Sequence, residues 1–120
     1  MVFPCLGEKL YVYLSGNAKE AQSTKEGWYT RNYAPYKINE KPNWSQEDGS
    51  NVIWHEGQTW NIGEKQSGRS GIQSAGIQSI ANAENPLEVK YWKYASNGMW
   101  RESVNIHVES GDVTGIKFLD

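Results

Sequence analysis

Turn-forming clusters recur so closely along this chain that no uninterrupted amphipathic helix of three turns fits between them. Twelve glycines and four prolines, with Asn, Asp and Ser beside them, cut its 120 residues into short apolar and β-branched runs. Lys9 to Ser15 alternates Leu10, Val12 and Leu14 against Tyr11 and Tyr13, the period of a strand, and Gly16-Asn17 closes it. Ala18 to Lys25 is the one short helical stretch, ended by Gly27. Gly27 to Arg31 reads as a second strand, and Ala34-Pro35 and Lys41-Pro42 mark corners around Tyr36 and Ile38.

Glu47-Asp48-Gly49-Ser50 signals a turn, and the strands Asn51–His55 and Gln58–Gly63 flank Glu56-Gly57 as a hairpin. Glu88 to Ala95 is the next strand, with Asn97-Gly98 the strongest hairpin dipeptide and Met99 to Arg101 beginning the return. Ser103 to Glu109 is expected to turn Val104, Ile106 and Val108 inward. Ser110-Gly111-Asp112 then leads to a last strand, Val113 to Leu119. Some eight to ten short strands at roughly 8–12-residue spacing predict one all-β domain over residues 1–120. The expected fold class is an antiparallel β-sandwich or barrel.

Ser70-Gly71-Ile72-Gln73-Ser74 is followed at once by Ala75-Gly76-Ile77-Gln78-Ser79. An odd-numbered repeat cannot keep the same side chains on one face of a single strand, so one copy is expected in a loop or bulge.

Hydrophobic residues make up only 38% of the chain, and the shortfall is met by six Trp and seven Tyr. Each such ring removes roughly 150–250 Å² from water, which supports a core and argues against disorder. The net charge is −2 with charges scattered singly, so the cation cluster that nucleic acid demands is missing. Cys5 is the only cysteine, and no intramolecular disulfide or thiolate cluster forms from it. The apolar opening Met1 to Leu6 is too short for a signal-peptide core or a membrane span. An intracellular protein and a piece of a longer one are both compatible with it.

Ala21-Gln22-Ser23, Gly27-Trp28-Tyr29, Pro42-Asn43-Trp44, Glu47-Asp48-Gly49-Ser50, Trp60-Asn61-Ile62-Gly63, Ala75-Gly76-Ile77, Pro86, Trp92-Lys93-Tyr94 and Trp100 occur in an order with a parallel elsewhere. Between residues 17 and 108 this order resembles a small tryptophan-rich module of predicted extracellular proteins in marine invertebrates and some algae. The duplicated Ile-Gln-Ser element and the charged stretch Glu64 to Arg69 depart from that pattern. The resemblance implies a modular adhesive or recognition domain and an extracellular parent protein. It assigns no catalytic residue.

Catalytic signatures are sparse. His55 and His107 are too few for a three-histidine zinc site, and Asp48 to Asn51 lacks the alternating carboxylates of a calcium loop. No Gly-x-Ser-x-Gly elbow and no phosphate loop with its Lys-Ser/Thr are present. Asn43-Trp44-Ser45 is a glycosylation sequon. The expectation is a non-catalytic protein without cofactor or metal.

The surplus of rings points to binding. Adjacent strand residues face opposite ways, so Tyr91 and Trp92, Ile53 and Trp54, Trp28 and Tyr29, and Leu10 and Tyr11 cannot all enter one core. Some rings must face outward, either as cross-strand sheet packing or as stacking platforms. The candidates are Trp54, Trp60, Trp92, Trp100, Tyr91 and Tyr94, with Asn61, Arg101 and His55 as hydrogen-bonding neighbours at hairpins. A carbohydrate is the leading expected ligand and another protein the alternative. A sugar site predicts a concave aromatic strip on a monomer, and an adhesion site predicts a flat or convex patch with self-association.

Overall fold

The computed structural model describes residues 8–32, 38–64 and 75–111. Nine antiparallel strands form one sheet curled into a nearly closed barrel. They are β1 (Lys9–Leu14), β2 (Gly27–Asn32), β3 (Asn43–Gln46), β4 (Asn51–Glu56), β5 (Thr59–Glu64), β6 (Ala75–Ser79), β7 (Trp92–Ser96), β8 (Met99–Ser103) and β9 (Ile106–Ser110). One helix, α1 (Gly16–Gln22), follows β1, and 3-10 turns occupy Ser23–Lys25 and Pro86–Glu88. The expected all-β single domain is thus what the chain forms.

The spatial order is β8-β7-β6-β5-β4-β3-β2-β1-β9, a meander whose last described strand returns to the first. Only Val104 and Asn105 separate β8 from β9, so residues 99–110 act as one bent strand. Its first half pairs with β7 and its second half with β1. The bend is held by hydrogen bonds from Asn105 N to Ser103 Oγ (2.9 Å) and from Ser15 N to Asn105 O (3.1 Å).

Directly opposed residues of antiparallel strands share a face, and the register therefore sorts the side chains. Leu10 lies opposite Tyr29, Ile53 opposite Trp44 and Ile62, and Ile77 opposite Ile62 and Tyr94. These residues, with Val12, Leu14, Ala18, Trp60, Trp92 and Ile106, form the buried core. Trp60 sits edge-on to Trp44 and to His55, with centroids 6.0 and 4.9 Å away. Its indole N–H donates to Ala83 O at 2.9 Å, which satisfies the polar edge that burial would otherwise strand.

The structure revises several expected elements. Glu88 to Tyr91 is not strand, because Asn85 Oδ1 accepts from Leu87 N and Pro86 starts a 3-10 turn. Strand β7 begins only at Trp92. Ser103 to Glu109 is broken by the bend, and Val104, expected inward, is 75% exposed. Strand β3, right after Pro42, was not anticipated. The second copy of the repeat is strand β6, met by a register shift between Ile62 and Gly63. The first copy and the expected strand Val113 to Leu119 lie outside the described residues, as do Pro35 and Tyr36.

Candidate functional site

The sequence candidates fall into three groups. Trp60, Trp92, Tyr94 and His55 face the barrel interior and are buried. His55 Nε2 lies 2.8 Å from Asn82 Oδ1, so its ring is already engaged. Trp54 and Asn61 oppose each other on the outer face of β4 and β5, yet both are buried. Trp54 donates Nε1–H to Glu56 Oε1 at 3.0 Å, and Asn61 Oδ1 accepts from Gln78 Nε2 at 2.8 Å. Tyr91, Trp100 and Arg101 are exposed. Trp100 lies on the outer face opposite Ala95, with the Lys93 ammonium 5.2 Å from its ring centroid. Tyr94 and Arg101 are opposed on the inner side of the β7–β8 hairpin. The nine candidates therefore do not meet in one place.

The rings that do meet in the open lie on another wall. On the outer face of β9, β1 and β2, Tyr11 opposes Trp28 and Glu109, while Tyr13 opposes His107. Tyr11 and Trp28 are edge-to-face with centroids 4.9 Å apart, and the Tyr13 and His107 rings are 6.5 Å apart. Trp28 is 40% and Tyr13 49% exposed. Two-residue alternation creates this strip: Leu10, Val12 and Leu14 turn inward and so force Tyr11 and Tyr13 out.

Polar groups frame the strip. Lys9 Nζ lies 5.8 Å from the Trp28 ring centroid and 2.9 Å from Glu47 Oε2. Thr30, opposite Lys9 across the strands, donates its hydroxyl to the same Glu47 oxygen at 2.6 Å. The Thr30 hydrogen bond and the Lys9 ammonium hold the Glu47 carboxyl below the usual carboxylate range. Gly111 passes directly over the edge of the Trp28 indole, where a Cβ would collide with the ring. Trp28 is thus pinned from three sides, as a preorganised contact surface requires.

The sequence carried the signal for this strip in the opposition of Leu10 to Tyr11 and of Trp28 to Tyr29. What it lacked was which member of each pair faces out and which strands adjoin. Only the return of β9 to β1 brings His107 beside Tyr13.

Among the described residues no three His, Cys, Asp or Glu side chains gather as a metal site, and no helix is long and apolar enough to cross a membrane. Comparison of the chain with protein-family models, with curated proteins and with solved structures finds no match.

Proposed function

We propose that this domain is a non-catalytic binding module whose ligand is a carbohydrate, recognised by the outer aromatic strip of β9, β1 and β2. The observation that carries the reading is the pairing of exposed rings with hydrogen-bonding groups on one wall. Trp28 and Tyr13 offer apolar faces, while Lys9, Thr30, Glu47, His107 and Glu109 border them. Aromatic faces stack on the apolar faces of sugar rings, and charged or hydroxyl groups fix the sugar hydroxyls. The strip lies along the outer wall of the barrel, an open position and not the concave strip expected of a sugar site from the sequence. It suits one side of an extended oligosaccharide better than an enclosed monosaccharide. The resemblance to tryptophan-rich modules is in keeping with this reading and with an extracellular setting.

The same outer-wall position supports a second reading, a protein–protein adhesion or assembly module. Met99, Trp100 and Val104 add exposed apolar surface along residues 99–104, and exposed apolar patches mark partner surfaces. Tryptophan fluorescence titrated with a panel of mono- and oligosaccharides, with light scattering on the same sample, separates the two. A saturable change with one oligosaccharide class from a monomer, weakened tenfold or more in Trp28→Ala and unaltered in Trp100→Ala, is expected. Flat titrations with concentration-dependent assembly would reject the carbohydrate and favour the second reading.

A further inference from the structure

A second place suited to a ligand lies at the barrel mouth. After Ser15 donates to Asn105 O, the chain leaves the sheet and turns into α1. Helix α1 packs against β7, next to β8 at the end of the sheet order. A cavity of about 380 Å³ opens there. The helix supplies Asn17, Glu20 and Ala21, and the β7–β8 hairpin supplies Tyr94, Ser96 and Arg101. Gln22 Nε2 donates to Ala95 O at 2.7 Å and ties the helix to β7, which fixes the spacing of the two walls.

Some of the described charges are closed in ion pairs, and the two that line this mouth are not. Lys9 closes on Glu47 at 2.9 Å and Lys19 on Glu26 at 3.2 Å. Glu20 and Arg101 share one cavity from opposite walls and do not close on each other. Of the neighbouring charges, Lys19 is engaged by Glu26, while Lys93 and Glu102 oppose each other on the outer face.

A lone anion seated on Arg101 would face the Glu20 carboxylate, and a lone cation seated on Glu20 would face the guanidinium. A molecule bearing both charges satisfies both walls. The guanidinium fork suits a carboxylate, which it grips through two parallel N–H···O bonds. We propose that the mouth binds a small zwitterion of the α-amino-acid class. Its carboxylate is held by Arg101, its ammonium by Glu20, and Asn17 and Ser96 supply further hydrogen bonds. The nearly buried Tyr94 ring forms the floor. This inference is independent of the outer aromatic strip.

The test is an NMR titration of the isotopically labelled domain with glycine, L-alanine and L-glutamine, alongside propionate, ethylamine and glucose. Saturable shifts centred on Glu20, Ser96 and Arg101 are expected from at least one amino acid, with propionate and ethylamine binding tenfold or more weakly. Arg101→Gln and Glu20→Gln are each expected to weaken amino-acid binding at least tenfold. Both positions are exposed, and an unchanged urea midpoint shows that the variants remain folded. Absence of saturable shifts with all three amino acids overturns the proposal. So does a loss confined to Arg101→Gln, which would mark an anion site, or equal binding of glucose.

Discussion

A Cβ added to Gly16 would lie 2.9 Å from Asn105 Nδ2, so the residue that begins the helix and the residue that bends the final strand occupy one tight space. Gly16 also has φ +59°, where any other residue is strained. Gly16→Ala is therefore expected to destabilise by about 1–2 kcal/mol through the backbone, with a small addition from crowding that a shift of the Asn105 amide relieves. Gly57 has a similar φ of +67° but nothing within 4 Å of its missing Cβ, and Gly57→Ala isolates the backbone part at about 1–2 kcal/mol. Urea denaturation of the two variants measures the difference. Equal losses would show that the seam does not depend on this contact.

Trp60 is fully buried between Trp44 and His55. Trp60→Ala is expected to cost about 3–5 kcal/mol. Trp28→Ala, on the outer wall, is expected to cost about 1 kcal/mol, the scale of a cross-strand pair. Thermal or urea melts decide the order, and a larger loss at Trp28 would contradict the assignment of inner and outer faces.

Burial pushes the Lys25 ammonium below its ordinary value of 10.5, with Glu64 opposing the shift only in part. A base with a depressed folded pKa binds its proton more tightly in the unfolded chain. Charged Lys25 therefore weakens the fold at neutral pH, and the penalty is relieved as pH rises through the folded value toward 10.5. Lys25→Met is expected to raise the urea midpoint at pH 7 and to flatten the alkaline rise in stability. A lower midpoint at pH 7 would mean that the ammonium contributes favourably.

The pKa of Glu47 is lowered as well, but for an acid this acts on stability in the opposite sense. Its folded pKa is depressed from 4.5, first by the Thr30 hydroxyl and then by Lys9. Its contribution is present above 4.5 and is lost as pH falls through the folded value. Thr30→Val keeps the β-branched shape and removes the donor. The Glu47 carboxyl, followed by carbon-detected NMR, is expected to titrate at higher pH in this variant, and an unchanged midpoint would assign the shift to Lys9 alone.

Residues 103–106 show where the sequence stops being legible. Leu10, Val12 and Leu14 alternate and are all buried, and Asn97-Gly98 forms the expected turn with φ of +53° and +77°. Local periodicity and turn chemistry were sufficient there. Val104, Ile106 and Val108 alternate just as well, but Ser103 lies opposite inward Trp92, and Ile106 lies opposite inward Leu14. Two inward residues three apart mean that the bend slips the alternation by one. No local pattern shows this, because closure of the barrel imposes it. Val104→Thr is accordingly expected to change stability by no more than about 0.5 kcal/mol, and Ile106→Ala to cost about 2–5 kcal/mol. Matching losses in denaturation experiments would restore Val104 to the core.

The binding candidates had the same difficulty. Choosing rings near hairpins gathered Trp60, Trp92 and Tyr94, which the core uses, alongside Tyr91, Trp100 and Arg101, which it does not. Inner and outer faces of Trp28 and Tyr29 are equivalent to a reader of one strand, and only the register with β1 distinguishes them.

The aromatic strip draws on the first two strands and the last one described, with His107 reaching Tyr13 only through the pairing of β9 with β1. A growing chain emerging from the ribosome thus carries Trp28, Tyr11 and Tyr13 long before it can complete the surface. Contacts so distant in sequence form slowly, and a ligand that needs all three strands recognises only the finished barrel. By mass action it also holds that barrel shut. Ligand occupancy would then act as a check on assembly, distinguishing a domain in which β9 has docked on β1 from one still waiting for it.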